Sequence, residues 1–226
     1  MIPYSRITVT RLTNQDCFRI QTDKQTIIVD PGFIGDYQDQ HLTPDLLRKA
    51  DLILISHHHF DHLQPDLLKQ LSDQNTVICA TQKCVGLTEL PLKVVQPGEN
   101  LVIGDTEISV VDAYNTPQGH SNPKNHHQGE CVGYVFKING KRFYFAGDTD
   151  VIPQMKSLGP IDVAMLPIGG TYVMDAQEAV EAARLIKPNL VLAMHQMKSD
   201  PMDFKKLITA VNIPMLYLKP GEYFII

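Results

Sequence analysis

No stretch of this sequence approaches the ~20 consecutive apolar residues that a membrane-spanning helix needs, so no membrane span is expected. The opening segment, MIPYSRITVTRL, lacks the apolar heart and cleavage pattern of an export signal, and the expected location is the cytoplasm. Lys and Arg never run to more than two in a row, and the net charge is −5. A nucleic-acid binder needs a basic stripe, because phosphate contacts supply most of its affinity, so nucleic acid is not an expected partner. The four cysteines, Cys17, Cys79, Cys84 and Cys131, form no CxxC pair and no secreted disulfide framework. They read as buried thiols in a reducing compartment. There is also no GxSxG elbow, which removes the usual serine-hydrolase signature.

What is present is a folded composition, with 226 residues, 43% hydrophobic and 20% charged. No low-complexity linker divides the chain, which reads as a single domain over residues 1–226. Short apolar runs predict strands over residues 7–12, 17–21, 26–29, 52–55, 76–79, 107–112, 132–138, 142–145, 163–166 and 190–193. A final strand pair is expected over 215–218 and 223–225, joined through the Pro-Gly turn at 219–222. Longer apolar periods predict helices over 44–49, 65–71, 176–187 and 202–210. Asp175 followed by Glu178 forms a capping box for the third of these, and Pro188 stops it. Strands and helices alternate without a strict βα repeat, which predicts mixed sheets flanked by helices.

Nine histidines are present, and His57, His58, His59 and His62 fall within six residues, directly after the apolar run Leu-Ile-Leu-Ile. Neutral imidazole and carboxylate are the ligands a borderline divalent ion prefers. The HxHxDH spacing can serve two ions, with His57 and His59 on one and Asp61 and His62 on the other. Two more apolar runs end in such a residue, Arg-Phe-Tyr-Phe-Ala-Gly in Asp148 and Leu-Val-Leu-Ala-Met in His195. Ligand sites in α/β proteins favour the C-terminal edge of the strands. Asp30 follows Thr-Ile-Ile-Val and reads as a partner that orients a ligand. His58 occupies a variable position of the motif and His41 a polar loop, and both read as non-ligands.

In order and separation, Asp30-Pro31-Gly32, His57-x-His59-x-Asp61-His62, Gly147-Asp148-Thr149 and His195 resemble the metallo-β-lactamase-fold superfamily across nearly the whole chain. The stretches Leu166–Asp175 and Ala193-Met194-His195 are similar to the small metal-dependent hydrolases related to ascorbate-phosphate lactonase and N-acylphosphatidylethanolamine phospholipase D. The resemblance implies an α+β fold, a four-layer αβ/βα sandwich with two mixed β-sheets flanked by helices and a binuclear metal site at one sheet edge. The chain departs from the common pattern at the middle strand, which ends Val-Val-Asp-Ala-Tyr-Asn without a histidine. His120, His126 and His127 follow, and His126-His127-Gln128-Gly129 before Gly133-Tyr134 resembles the subgroup's ligand segment. His126 is therefore the favoured ligand, with His120 and His127 as alternatives.

The resemblance implies His57, His59 and His126 on one ion, Asp61, His62 and His195 on a second, and Asp148 bridging them. Zinc is the first expectation, with manganese, iron or nickel also able to occupy such a site. The implied activity is attack of a bridging hydroxide on an ester, lactone, amide or phosphodiester of a small molecule. Asp61 would orient the nucleophile and take up its proton. Gly169, Gly170, Thr171, Tyr172, Tyr114 and Asn115 are expected to border the substrate. An iron-dependent oxidoreductase on the same fold and a non-catalytic metal-binding protein are the rival readings. A homo-oligomer is compatible with exposed sheet edges, and the apolar tail Tyr-Phe-Ile-Ile is expected to dock on a sheet or an interface.

Overall fold

The structure is a computed structural model that describes residues 6–226; the first five residues of the opening segment, read above as lacking an export signal, lie outside the described residues. The chain divides into two compact units, the first comprising the described residues through Val95 with Val102–Thr106 and Leu218–Ile226, the second Gln96–Leu101 with Glu107–Tyr217.

The first unit is built on strands β1 (Thr8–Arg11), β2 (Phe18–Gln21), β3 (Thr26–Val29), β4 (Leu52–Leu54), β5 (Val77–Ala80) and β6 (Lys93–Val94), with the last strand of the chain, β14 (Tyr223–Ile225), on the other edge. The sheet order is β14-β1-β2-β3-β4-β5-β6. Pairing is antiparallel from β14 to β3 and parallel from β3 to β6. All three residues of β4 are buried, as expected of a parallel strand covered on both faces. Side chains alternate across a strand. Accordingly, Ile53 and Ile55 join one core cluster with Ile28, Ile78 and Ala80, and helix α1 (Pro65–Leu71) adds Leu67, Leu68 and Leu71 to it. Each fully buried aliphatic side chain of this kind contributes about 1.5–3 kcal/mol. Pro65 suits the first helical turn, where its missing N–H costs nothing.

The second unit follows the same logic in the order β13-β12-β11-β10-β9-β8-β7. The strands of this sheet are β7 (Asn100–Ile103), β8 (Thr106–Ala113), β9 (Cys131–Ile138), β10 (Lys141–Phe145), β11 (Val163–Pro167), β12 (Leu190–Met194) and β13 (Met215–Leu216), all in the second unit except Val102, Ile103 and Thr106. Strands β8, β9 and β10 are antiparallel, and β10 to β13 are parallel. Helix α2 (Ala176–Ile186) carries the predicted capping box: Asp175 accepts from the amides of Gln177 and Glu178, and Glu178 accepts from the amide of Asp175. Lys187 ends it in a left-handed conformation ahead of Pro188. Helix α3 (Pro201–Thr209) is capped by Asp200.

Three expectations need correction. Residues 44–47 form a turn and not the start of a helix over 44–49. The Ala50 amide donates to the Leu71 carbonyl at 2.8 Å, which draws the chain into β4 before a helix can propagate. The two C-terminal strands are not a pair: β13 runs parallel to β12 in the second sheet, and β14 pairs β1 in the first. The intervening turn instead docks on Arg11, whose carbonyl accepts from Gly221 and whose amide donates to Glu222. Strands β6 and β7 were not foreseen; β6 has two residues, both exposed, and leaves no apolar pattern to read. The four cysteines are buried thiols outside any disulfide, as expected.

Candidate metal centre

Each unit carries one cluster of potential metal ligands at the C-terminal ends of its parallel strands. In the first unit, β3 delivers Asp30 and β4 delivers Ser56 and His57, with the Asp30 amide bonded to the Leu54 carbonyl at 3.0 Å. Asp30 has a φ of 38°, a left-handed conformation that Asp tolerates better than most residues. The chain then folds back over Gly32. A Cβ there would run into the backbone of Asp61 and His62, so this close approach requires glycine.

Asp30 is fully buried. Its Oδ1 accepts from the Ser56 amide at 2.6 Å and its Oδ2 from the Ser56 hydroxyl at 2.5 Å. Oδ2 also lies 2.7 Å from His62 Nδ1. Burial pushes the Asp30 carboxyl above its ordinary range, and His62 and Ser56 oppose that rise. The Ser56 hydroxyl has one hydrogen. Because it goes to Asp30, Ser56 must accept from His57 Nδ1, 2.9 Å away. Both His57 and His62 are thereby fixed with the proton on Nδ1 and an electron pair on Nε2. This is the state of a metal-ligating imidazole oriented by a carboxylate. His57 Nε2 lies 3.0 Å from His59 Nδ1, and His62 Nε2 lies 3.5 Å from Asp61 Oδ2. Asp61 Oδ2 accepts from Gln15 at 3.1 Å. Gln15 is itself placed by the buried Arg11, whose guanidinium donates to the carbonyls of Thr13, Asn14 and Gln15. Asp16, buried beside His62, has Oδ2 3.9 Å from His62 Nδ1.

In the second unit, Asp148 follows β10, His195 follows β12 with φ 44°, and His126 comes from the loop after β8. Asp148 Oδ2 lies 3.2 Å from His126 Nε2 and 3.3 Å from His195 Nε2. All three residues are buried. His126 Nδ1 faces two acceptors, the Tyr172 carbonyl at 3.1 Å and Asn115 Oδ1 at 3.2 Å. Its proton therefore sits on Nδ1, and in the neutral ring an electron pair on Nε2 faces the Asp148 carboxylate. That contact is repulsive unless a cation is shared between the two groups. A divalent ion with imidazole and carboxylate ligands fits this donor set. Gly169 is needed here for a similar close approach, because a Cβ on it would meet the His195 carbonyl.

The remaining predicted residues separate cleanly by environment. His120 and His127 are exposed, and His41 is exposed in its loop. His58 is half-buried, with its ring 4.7 Å from that of His59. His120 bonds to Asp175 Oδ2 at 2.8 Å. His120, Asp175 and Glu178 offer ligand atoms within 4.8 Å of one another, but the two carboxylates are engaged in capping α2. Gly170, Thr171 and Tyr172 lie between β11 and α2, with Tyr172 at φ 66°. The Tyr114 hydroxyl donates to Gln154 at 3.2 Å. Sequence reasoning missed Ser56, Gln15 and Asp16. Ser56 could have been flagged by its position before His57. Gln15 and Asp16 read only as a turn between two strands.

No helix among the described residues is long and apolar enough to cross a membrane. A family model described as a beta-lactamase superfamily domain matches residues 11–195. A UPF0173 metal-dependent hydrolase from Pyrococcus furiosus is 34% identical over 221 residues, covering 91% of this chain and 93% of that protein. A solved structure from Parabacteroides distasonis, described as a metal-dependent hydrolase, is similar with a TM-score of 0.82 and 29% identity, covering 96% of this chain and 94% of that one. A metallo-β-lactamase-fold protein from Bacillus subtilis is similar in fold, with a TM-score of 0.76 at 14% identity over 98% of this chain and 99% of that one. The mixed α+β sheets are thus those of the metallo-β-lactamase fold, and the chain belongs to the β-lactamase superfamily, within its UPF0173 family of metal-dependent hydrolases.

Proposed function

We propose that this protein is a binuclear hydrolase of a small-molecule ester, lactone, amide or phosphodiester, acting as one domain in the cytoplasm. His57, His59 and His126 hold one divalent ion, Asp61, His62 and His195 hold a second, and Asp148 serves both. The observation that carries this reading is the orientation of His126: its Nδ1 faces two acceptors, and in the neutral ring this turns the Nε2 electron pair towards a carboxylate oxygen 3.2 Å away. His57 and His62 are held in the same protonation pattern by Ser56 and Asp30. A single domain is supported by one family model spanning both compact units. Four reduced, buried thiols support the cytoplasm.

When bound, a pair of such ions lowers the pKa of a water molecule and polarises the substrate oxygen. The chain supplies orientation and proton handling. Asp61, steadied by Gln15 at 3.1 Å, orients the attacking water and accepts its proton. That proton then passes to the leaving group as its bond to the acyl or phosphoryl centre breaks. Asp30 and Ser56 keep His57 and His62 from rotating. Zinc is the ion proposed, because nitrogen and oxygen donors without thiolate suit it; manganese, iron and nickel share that preference in part.

The test is metal analysis of tag-free protein by inductively coupled plasma mass spectrometry, followed by a screen of lactones and phosphodiesters. About two zinc or manganese ions per chain with turnover are expected. Predominantly iron with oxygen uptake would replace the hydrolase by a redox enzyme. Absence of metal after incubation with zinc, manganese, iron and nickel would overturn the centre itself.

A further inference from the structure

The loop after β8 opens with Tyr114 and Asn115. Asn115 is bound to His126 along its whole length. Its amide donates to the His126 carbonyl at 2.8 Å, and its Oδ1 accepts from the His126 amide at 3.0 Å while lying 3.2 Å from His126 Nδ1. Its Nδ2 donates to the Tyr172 carbonyl at 2.8 Å and to Asp150 Oδ1 at 3.3 Å. The side-chain amide can face only this way, because two of its partners are backbone groups of fixed polarity. An Asn side chain offers two donors and two acceptor sites, and all four are used here. The polar groups of the Asn115 side chain are thus engaged within the chain.

Asp150 braces this arrangement. It is fully buried, and its Oδ2 accepts from the Thr116 amide at 2.8 Å and lies 3.5 Å from Lys124 Nζ. Tyr172 presents its carbonyl from a left-handed backbone conformation, which persists only where surrounding contacts hold it. Asn115 Nδ2 is one of those contacts.

We propose that Asn115, braced by Asp150, is a positioning residue that fixes His126 as the Nδ1–H tautomer and so reserves its Nε2 for a divalent cation. This rests on His126 being a metal ligand, as proposed above. The ring nitrogen left free for a metal is set by the hydrogen bond at the other nitrogen. Here that bond is made twice, to Asn115 Oδ1 and to the Tyr172 carbonyl, and Asn115 also holds the second of these in place.

The experiment uses the full chain with 15N-labelled histidines, stripped of metal at mildly alkaline pH, then titrated with zinc. In the parent protein His126 is expected as the Nδ1–H tautomer, with its Nε2 resonance shifting on zinc addition. In Asn115→Ala the tautomer should become mixed, and zinc affinity should fall roughly 10–100-fold. Asn115→Asp keeps the acceptor at Nδ1 and loses the donor to Tyr172. It should preserve the tautomer, and it replaces Asn115→Ala if that variant does not fold. If His126 Nε2 does not respond to zinc in the parent protein, the ligand assignment fails and this inference with it. If it responds, but Asn115→Ala keeps tautomer and affinity, or Asn115→Asp loses the tautomer, the inference alone fails.

Discussion

The Ser56 hydroxyl lies 2.5 Å from Asp30 Oδ2 and 2.9 Å from His57 Nδ1, so one buried carboxylate orients two histidines, His62 directly and His57 through the serine. Ser56→Ala removes the relay while leaving the direct contact. It should weaken metal binding roughly 10–100-fold, as loss of an orienting partner does. It should also cost about 1–3 kcal/mol of folding stability, because Asp30 loses a buried hydrogen bond. Competition with a chromophoric chelator and urea unfolding measure the two effects. Unchanged affinity would mean that His57 is oriented by something other than Ser56.

Asp148→Ala and His58→Ala should differ sharply. Asp148 is the carboxylate that both His126 Nε2 and His195 Nε2 approach, and its loss should abolish metal retention and activity while leaving the circular dichroism spectrum intact. His58, half-buried and outside the clusters, should be dispensable for both. Chelation of the parent protein should lower its melting temperature, since an ion that binds only the native state stabilises it. Equal metal loss in the two variants would count against the ligand set.

How much of this could be read from the sequence depends on the range of the interaction. His57, Asp148 and His195 were legible because each ends an apolar run, and a buried parallel strand presents its next residue at the sheet edge. The capping box of α2 was legible because Asp175 and Glu178 are three residues apart. The contact of Gln15 with Asp61 spans 46 residues and that of Asn115 with Tyr172 spans 57, and neither leaves a local pattern. Asn115 could be located near the site but not given its role, because a polar residue at a strand end looks the same whether it faces substrate or a histidine. The C-terminal strands failed for a related reason. A Pro-Gly turn between two apolar runs reads as a hairpin, and only the docking of that turn on Arg11 sends the runs to different sheets.

Gly32→Ala tests the packing of the metal loop. The added methyl would meet the Asp61 and His62 backbone, which cannot yield as a side-chain tip can. The expected cost is roughly 1–3 kcal/mol, typical of overpacking. A loss of zinc affinity should accompany it, because the displaced segment carries two proposed ligands. Urea unfolding and zinc titration of the same sample check both parts. Lost stability with unaltered zinc affinity would show that the loop relaxes elsewhere.

The His120–Asp175 pair predicts a pH dependence of stability. The hydrogen bond to Asp175 raises the His120 pKa above its ordinary value, with Glu178 and the Asp175 charge adding to the rise. A histidine whose folded pKa exceeds its unfolded one contributes stability that is fully present below the unfolded value of about 6.5, and this is lost as pH rises through the folded pKa. Asp175→Asn keeps an oxygen to cap the amides of Gln177 and Glu178 but loses the charge. Its stability deficit relative to the parent should therefore be greatest in mildly acidic solution and shrink towards about pH 8. The contribution is small, because the imidazole is exposed to solvent. Asp175→Ala also loses the cap and should show a further deficit of about 1 kcal/mol that does not vary with pH. Denaturant melts at both ends of this range, with an NMR titration of His120, measure the effect; a deficit that grows with pH would contradict the pairing.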